Sequence, residues 1–142
     1  MNAKEYLNQA YRMEQQVQSK LDQIEALRSL ASSVTSSIGT EPVVHTRNHT
    51  SMQDTVIRIM EAEQELNSEI DELVEIKRDI KQTIDMIPDV TLRLVLEKRD
   101  LCFQKWEQIA VDMYYSLRSV QEKHREAVRE VQRILDERED EE

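Results

Sequence analysis

Apolar residues recur at spacings of three, four and seven along the first part of the chain, which is the pattern of an amphipathic helix. We therefore predict one long helix over residues 2–38. Its apolar stripe runs through Ala10, Val17, Leu21, Ile24, Ala31 and Ile38, and is broadened by Tyr6, Leu7, Tyr11, Leu27, Leu30 and Val34. Gly39 and Pro42 then interrupt the pattern, so residues 39–51 are predicted to be a loop.

A second apolar run ends at Pro88 and has the spacing of a coiled coil. Ser51 with Asp54 resembles a capping box and places the start of this helix near Ser51 or Met52. Polar residues interrupt its heptad seam at two positions, Glu63 and Lys77, and its apolar members are Val56, Ile59, Leu66, Ile70, Leu73, Ile80, Ile84 and Ile87. Residues 1–87 are therefore predicted to form an antiparallel coiled-coil helical hairpin, in which such polar seam residues fix the register or the number of helices.

Beyond Pro88 the pattern changes to shorter helices. Pro88 cannot continue the preceding helix but is tolerated in the first turn of a new one. We predict that new helix over residues 89–102, with apolar contacts at Val90, Leu94, Val95, Leu101 and Cys102. Residues 106–131 then have the spacing of a helix-turn-helix, with a short amphipathic helix, a break at residues 114–115 and a longer helix that Ser116 can cap.

The turn between these two helices makes specific demands on the sequence. Ala110 supplies the small residue that two closely crossing helices need, Ile109 and Val120 are expected to pack across the turn, and Trp106 covers their base. The position four residues after Ala110 usually carries glycine, because the backbone there is left-handed, but this chain has Tyr114. A non-glycine residue in that conformation costs about 1 kcal/mol, so either the turn is rebuilt or the domain accommodates the strain.

The composition is typical of long exposed helices. One glycine and two prolines leave few turns, so the fold class is predicted to be all-α. The single cysteine, Cys102, excludes an internal disulfide framework and a cysteine-rich zinc site, and is expected to pack as a small apolar residue. His45 and His49 have a metal-compatible spacing but no obvious third ligand.

Neither catalytic nor membrane motifs are found in the sequence. It lacks a glycine-rich phosphate loop, a nucleophile constellation and an apolar run long enough to span a bilayer. Its first residues lack the apolar core of a signal peptide. We therefore predict a cytoplasmic protein that is not an enzyme and that has no cofactor, no metal site and no membrane contact.

The net charge of −10 is unevenly distributed. Residues 1–88 carry 15 acidic and 9 basic side chains, residues 89–135 carry 8 and 9, and residues 136–142 carry 6 and 1. The predicted helix-turn-helix domain, residues 88–135, therefore lies in the only part that is not acidic. Its attraction for phosphate is still weak, so binding to DNA would need help from a second copy or another protein. The acidic tail 136–142 is predicted to be disordered.

A resemblance to a known family adds to this interpretation. Residues 93–131, especially LEKRDLCFQKWEQIAVDMYYSLRSVQEKHREAV, resemble the helix-turn-helix of sigma-factor region 4, and more narrowly the ArpU/RinA-like phage transcription regulators of Gram-positive hosts. Asp100 and Tyr114 depart from the family pattern, which usually has tyrosine and glycine there, and so does Val128, which is usually leucine. The pattern residues that the chain keeps are Leu96, Arg99, Trp106, Ile109, Ala110, Tyr115, Ser116, Val120, His124 and Ala127. The N-terminal and middle helices also resemble this family.

The resemblance implies a phage or prophage regulator of late genes that binds double-stranded DNA. In such a motif the start of the second helix meets base edges, where arginine pairs with guanine, glutamine with adenine and glutamate with cytosine. The residues placed at or near these edges are Leu117, Arg118, Ser119, Gln121 and Glu122. Lys123, Arg125 and Arg129 are expected to contact phosphates, and Lys105 and Ser116 to lie where the first helix meets the DNA backbone. The alternative is a solvated charged face balanced by Glu122 and Glu126.

The predicted function is sequence-specific regulation of transcription, by promoter binding and recruitment of host RNA polymerase. A homo-oligomer held by the coiled coil would place two reading helices on repeated half-sites. Two alternatives stay open at this point. The hairpin could serve a scaffolding, assembly or packaging protein, or the chain could be an anti-activator that binds RNA polymerase or a sigma factor without binding DNA. In either case His124 is expected to be a packing or capping residue.

Overall fold

The computed structural model describes the backbone of residues 1–38 and 45–141, and the side chains of residues 1–33 and 52–141. Over these residues the chain is all-helical and contains no strand, as predicted. The five α-helices of the described residues are α1 (Ala3–Ile38), α2 (His45–Asp85), α3 (Val90–Leu96), α4 (Trp106–Met113) and α5 (Leu117–Glu141). A short π-helical segment, Glu97–Leu101, follows α3.

The start of α2 differs from the prediction. The helix begins at His45, so a capping box at Ser51 is wrong, and residues 45–51 of the predicted loop are helical. Residues 45–51 contain neither proline nor glycine, so their sequence does not interrupt helical backbone geometry. Residues 39–44 of the predicted loop lie outside the described residues, as do the side chains of His45 and His49.

One of the two compact units of the chain comprises Glu14–Glu72. Within it α1 and α2 contact each other, since Nζ of Lys20 lies 2.6 Å from Oε2 of Glu65 and Arg28 pairs with Glu63. Most of the residues of α2 that are buried or half-buried here recur at spacings of three and four, namely Met52, Thr55, Ile59, Ala62, Leu66 and Glu69, and Glu63 is half-buried beside them.

This burial pattern corrects the predicted seam of α2. Val56 is 43% exposed and Ile70 is 38% exposed, although both were assigned to the seam. One position in each heptad lies one residue earlier than predicted, so the seam passes through Ala62, while the neighbouring Glu63 is half-buried and pairs with Arg28 at its edge. Lys20 and Glu69 are half-buried polar residues of this seam. On α1, Val17 and Ile24 are buried as predicted, whereas the predicted stripe members Leu21 and Leu30 are exposed.

The other unit comprises Met1–Met13 and Leu73–Glu142. Its core joins residues from the beginning of α1, the end of α2, α3 and α5, namely Ala3, Tyr6, Leu7, Ala10, Ile80, Ile84, Ile87, Leu92, Leu96, Ala127, Val131, Ile134 and Leu135. This unit therefore crosses the predicted domain boundary between residues 87 and 88, because the first turns of α1 bury their apolar side chains with those of α5. The predicted stripe residue Tyr11 lies at its surface, 49% exposed.

Helix α3 and the π-helical segment replace the single helix predicted over 89–102. Asp89 caps α3, because its Oδ1 accepts hydrogen bonds from the backbone N–H groups of Thr91 and Leu92 at 2.8 and 3.2 Å. Helix α3 buries Leu92, Val95 and Leu96, which recur at helical spacing. Leu92 and Leu96 belong to the core formed with α1, α2 and α5, and Val95 is buried with residues of α4 and α5. Three of the predicted contacts are wrong, since Val90, Leu94 and Cys102 are exposed, whereas Leu101 packs against the core as predicted.

The acidic tail is also helical, in contrast to the predicted disorder, because α5 continues to Glu141. Ile134 and Leu135 anchor it in the core, and Arg133 pairs with Glu130 and Glu137 across neighbouring turns. In the parts of the chain that the structure describes, none of the helices is long and apolar enough to span a bilayer.

Candidate nucleic-acid interface

Helices α4 and α5 pack around a small apolar cluster. Val95 of α3, Ile109 and Ala110 of α4, and Val120 of α5 are buried together. Trp106 and Met113 are partly buried against them. The packing predicted for Ile109, Ala110 and Val120 is thereby confirmed.

Tyr114 forms the turn between α4 and α5 in a left-handed conformation, with φ 59° and ψ 38°. The N–H of Tyr115 donates to the carbonyl of Ala110 at 3.1 Å, and the N–H of Tyr114 donates to that of Val111 at 3.3 Å. These two hydrogen bonds form a Schellman motif, which normally has glycine at the left-handed position. The chain therefore keeps the tight turn and accommodates the strain. The Tyr114 side chain is 95% exposed and contributes nothing to the packing of the turn.

Ser116 caps α5 as predicted. Its Oγ accepts a hydrogen bond from the backbone N–H of Ser119 at 3.1 Å, and its carbonyl accepts one from the N–H of Val120 at 3.1 Å. A serine hydroxyl at this position satisfies an N–H group that would otherwise lack a partner at the helix start. The cap fixes Leu117, Arg118 and Ser119 in the first turn of α5.

A row of charged side chains runs along the solvent-facing side of α5. Arg118, Glu122, Arg125 and Arg129 are exposed and recur at spacings of four, three and four, so they share one face. Arg118 is 89% exposed, and its Nε lies 3.1 Å from Oε1 of Glu122. Arg125 and Arg129 make no ion pair with any described side chain. We call these four residues the α5 arginine face.

The other predicted contact residues lie around this face. Leu117 and Lys105 are exposed, whereas Ser119, Gln121 and Lys123 are half-buried. The Lys123 ammonium lies 5.1 Å from the centroid of the Tyr115 ring. The structure thus brings together Arg118, Glu122, Arg125 and Arg129, and places Lys123 on another side of the helix.

His124 takes part in a contact that sequence reasoning missed. Its Nε2 lies 2.7 Å from Oδ2 of Asp100, and its ring meets the edge of Trp106 at 4.9 Å between centroids. The Arg99 guanidinium lies 4.3 Å from the centroid of the same Trp106 ring. His124 is thus a packing residue, as expected. One feature of the sequence could have indicated Asp100 as the partner of His124, namely that the helix-turn-helix pattern which the chain resembles usually has tyrosine at position 100.

Tyr6 on α1 and Lys81 on α2 have raised pKa values. Burial, followed by a hydrogen bond to Asp79, raises the pKa of Tyr6. Hydrogen bonds to Asp85 and Glu97 raise the pKa of Lys81. Among the described residues, no cluster of three histidine, cysteine, aspartate or glutamate residues could hold a metal ion.

No protein-family model matches the chain, and no curated protein or solved structure matches it either. The resemblance to ArpU/RinA-like regulators therefore rests on the motif residues themselves.

Proposed function

We propose that the chain is a sequence-specific DNA-binding transcription regulator of the ArpU/RinA-like phage type. In this proposal α4, the turn at Tyr114 and α5 form a sigma region 4-like helix-turn-helix, and α5 enters the major groove. The α5 arginine face carries the proposal, because it begins at the capped first turn of α5 and is fully accessible.

The residues of this face divide into two roles. Arg118 and Glu122 lie in the first two turns of α5, where side chains of a recognition helix reach base edges. Arg125 and Arg129 follow one and two turns later without a carboxylate partner, which suits them to phosphates. Arg118 pairs with Glu122, so this ion pair must open before Arg118 binds a base alone. Alternatively, Arg118 binds a guanine while Glu122 accepts a hydrogen bond from a cytosine.

Oligomer formation completes the proposal. The two arginines of this face that are assigned to phosphates supply few contacts per copy, and two copies on repeated half-sites would double them. We place the self-association surface on the Glu14–Glu72 unit, as an antiparallel coiled-coil hairpin. Recruitment of host RNA polymerase at the bound promoter is the proposed mode of action.

The test is selection of genomic DNA fragments by the purified chain at two salt concentrations, with sequencing of the retained fragments. We expect one short repeated site to be enriched, and its retention to fall as salt rises. Arg118→Ala combined with Arg125→Ala should abolish the enrichment. The matched control is Arg78→Ala combined with Arg133→Ala, which removes two exposed arginines that already pair with carboxylates. Equal binding by the two double variants would refute the placement.

A second candidate is a scaffolding, assembly or packaging role, or binding of RNA polymerase or a sigma factor without DNA. The observation in its favour is the exposed apolar surface of α2 at Val56, Ile57 and Met60. Residues 14–72 also carry 11 acidic and 4 basic side chains, which suits a protein partner better than DNA. Enrichment of no DNA at either salt concentration, together with a large assembled species in light scattering, would favour this candidate.

A further inference from the structure

A cleft of about 660 Å³ lies beside α5, within the unit that comprises Met1–Met13 and Leu73–Glu142. One wall is the beginning of α1, from Lys4 to Arg12, and the floor includes Asp100 of the π-helical segment and His124 of α5. Its volume lies in the range of pockets that bind small molecules in other proteins. The α5 arginine face is not part of it.

Two cationic side chains on the α1 wall have no partner. Lys4 and Arg12 lie eight residues apart with Asn8 between them, so all three project from one face of α1 and line the cleft. Neither Lys4 nor Arg12 makes a hydrogen bond through its side chain or an ion pair with any described residue. The carboxylates of the lining are Glu5 and Asp100, and Oδ2 of Asp100 already has a partner in Nε2 of His124 at 2.7 Å. The wall can therefore accept an anion.

The cleft also offers apolar and aromatic surface. Tyr11 and Phe103 meet edge to face, with 5.8 Å between their ring centroids, and both line it together with Leu7 and Val128. A phosphate chain alone would leave this surface in contact with water. A ligand with a planar ring would cover it.

Two local irregularities of the backbone deliver lining residues to this cleft. The π-helical segment carries Arg99 and Asp100, and Phe103 follows it with a φ of 57°. A π-helical turn is rare, and a left-handed phenylalanine costs free energy, so both features are found more often at functional sites than elsewhere. In this protein the π-helical segment and the left-handed Phe103 both contribute residues that line the same cleft.

We propose that this cleft binds a small anionic molecule with a planar ring, of the size of a nucleoside monophosphate. The anionic group binds between Lys4 and Arg12, and the ring packs against Tyr11 and Phe103. The ligand also contacts His124 and Val128, so it touches α5 on the side away from the arginine face. The inference does not depend on DNA binding, and its test contains no DNA, so either proposal can fail alone.

Trp106 provides the readout for the test. It is the only tryptophan of the chain, and its ring contacts Arg99 and His124, which both line the cleft. The full-length protein is titrated with adenosine monophosphate, adenosine and inorganic phosphate, while Trp106 fluorescence and the heat of binding are recorded. We expect saturable binding of adenosine monophosphate, with adenosine and phosphate each weaker by about tenfold or more, because each lacks one of the two interactions.

Two double variants decide which surface is responsible. Lys4→Gln with Arg12→Gln should weaken the binding of adenosine monophosphate by about tenfold or more, since both cations are lost. Arg125→Gln with Arg129→Gln removes the same charge from the α5 arginine face and should leave the affinity unchanged. All four side chains are exposed, and circular dichroism checks that both variants are folded. The proposal is overturned if adenosine monophosphate gives neither heat nor a fluorescence change, if phosphate binds as tightly, or if the first variant keeps the affinity.

Discussion

Nε2 of His124 lies 2.7 Å from Oδ2 of Asp100, and this contact joins α5 to the π-helical segment. Both side chains are largely buried, at 18% and 17% exposure, so the contact is shielded from solvent. The edge of Trp106 packs against the same His124 ring, which adds α4 to the connection. Three elements of the candidate interface thus meet at one histidine.

Asp100→Ala should lower the free energy of unfolding by about 1–3 kcal/mol, because it leaves the half-buried His124 ring nitrogen without its partner. Trp106 fluorescence should change as well, since the His124 ring is then free to move against it. Urea denaturation followed by fluorescence and circular dichroism measures both effects. Asp112→Ala is the control, because Asp112 lies 3.9 Å from Lys98 in a more exposed pair and otherwise accepts one exposed hydrogen bond, from Gln108 at 2.8 Å, so its loss should cost no more than about 0.5 kcal/mol. Equal losses for the two variants would contradict the role of the His124 contact.

Tyr114→Gly should stabilise the protein by about 1 kcal/mol, because glycine adopts the left-handed conformation without strain. The tyrosine side chain is almost fully exposed, so little packing is lost. Tyr114→Ala keeps the Cβ atom and should leave stability within about 0.5 kcal/mol of the original. Thermal unfolding of both variants measures the difference.

Tyr115→Gly tests whether glycine stabilises this turn at any position, or only where the backbone is left-handed. Tyr115 does not have a positive φ, and Lys123 lies over its ring, so glycine there should destabilise by about 1 kcal/mol. A gain in stability at Tyr115, or a loss at Tyr114, would show that left-handed strain is not the governing effect.

The sequence predicts local features of this protein better than distant ones. The contact between Ala110 and Val120, the strained Tyr114 and the Ser116 cap all follow from residues that lie close together in the sequence, between Ala110 and Val120. The pairing of Asp100 with His124 spans 24 residues and had no such local signal. The π-helical segment carries no glycine or proline, so nothing in its composition distinguishes it from ordinary α-helix.

The register of α2 shows a second limit of sequence reasoning. Thr55 and Val56 occupy adjacent positions, and a stripe through either one continues through Ile59 and Leu66 at helical spacing. The more hydrophobic choice, Val56, gives a seam that contains Glu63. The structure buries Thr55 and places Ala62 in the seam instead. Single-residue hydrophobicity therefore favoured the wrong stripe at this position.

Lys20 and Glu69 provide a test of the seam within the Glu14–Glu72 unit. Lys20 is mostly buried and its pKa is raised, first by its hydrogen bond to Glu65 and also by the charge of Glu69. Oε2 of Glu69 is shielded from solvent and has no hydrogen-bond partner in the described part of the chain. Lys20→Leu should therefore destabilise the unit, because Glu69 loses its nearby cation.

Adding Glu69→Leu to Lys20→Leu should restore the original stability or exceed it, since two apolar residues then fill the seam. The double-mutant cycle is measured by chemical denaturation, and light scattering monitors the number of chains, because polar seam residues also fix oligomer state. A single Lys20→Leu variant that is more stable than the original protein would sink this interpretation.

The Tyr6 hydroxyl links α1 to α2 and predicts a pH dependence. It donates to Oδ2 of Asp79 at 2.5 Å and shares a hydrogen bond with Thr83 at 2.8 Å. Tyr6→Phe should cost about 1–2 kcal/mol at neutral pH, since Thr83 is fully buried and loses this partner. Tyr11→Phe is the control, because the exposed Tyr11 hydroxyl makes no hydrogen bond with a described residue.

The pKa of Tyr6 is raised from 10.0, mainly by burial, so folding favours its neutral form. Its contribution to stability is fully present below the unfolded-state pKa and is lost as pH rises through the higher folded-state pKa. The stability gap between the original protein and Tyr6→Phe should therefore narrow in alkaline solution. Urea denaturation at neutral and alkaline pH measures it, and a gap that widens with pH would contradict this assignment.

Arg129 allows the proposed phosphate contacts to be counted. If the α5 arginine face binds DNA, Arg129→Gln should reduce the slope of log affinity against log salt by about 1, whatever the DNA sequence, because one phosphate contact is lost. Arg133→Gln removes the same charge one turn further along α5 but should leave the slope unchanged, since Arg133 already pairs with Glu130 and Glu137. Arg118→Gln should instead lower the free-energy difference between the preferred and the other base pairs at one position of the site, by about 1–3 kcal/mol. Binding titrations at several salt concentrations separate these cases, and equal slopes for the Arg129 and Arg133 variants would remove Arg129 from the interface.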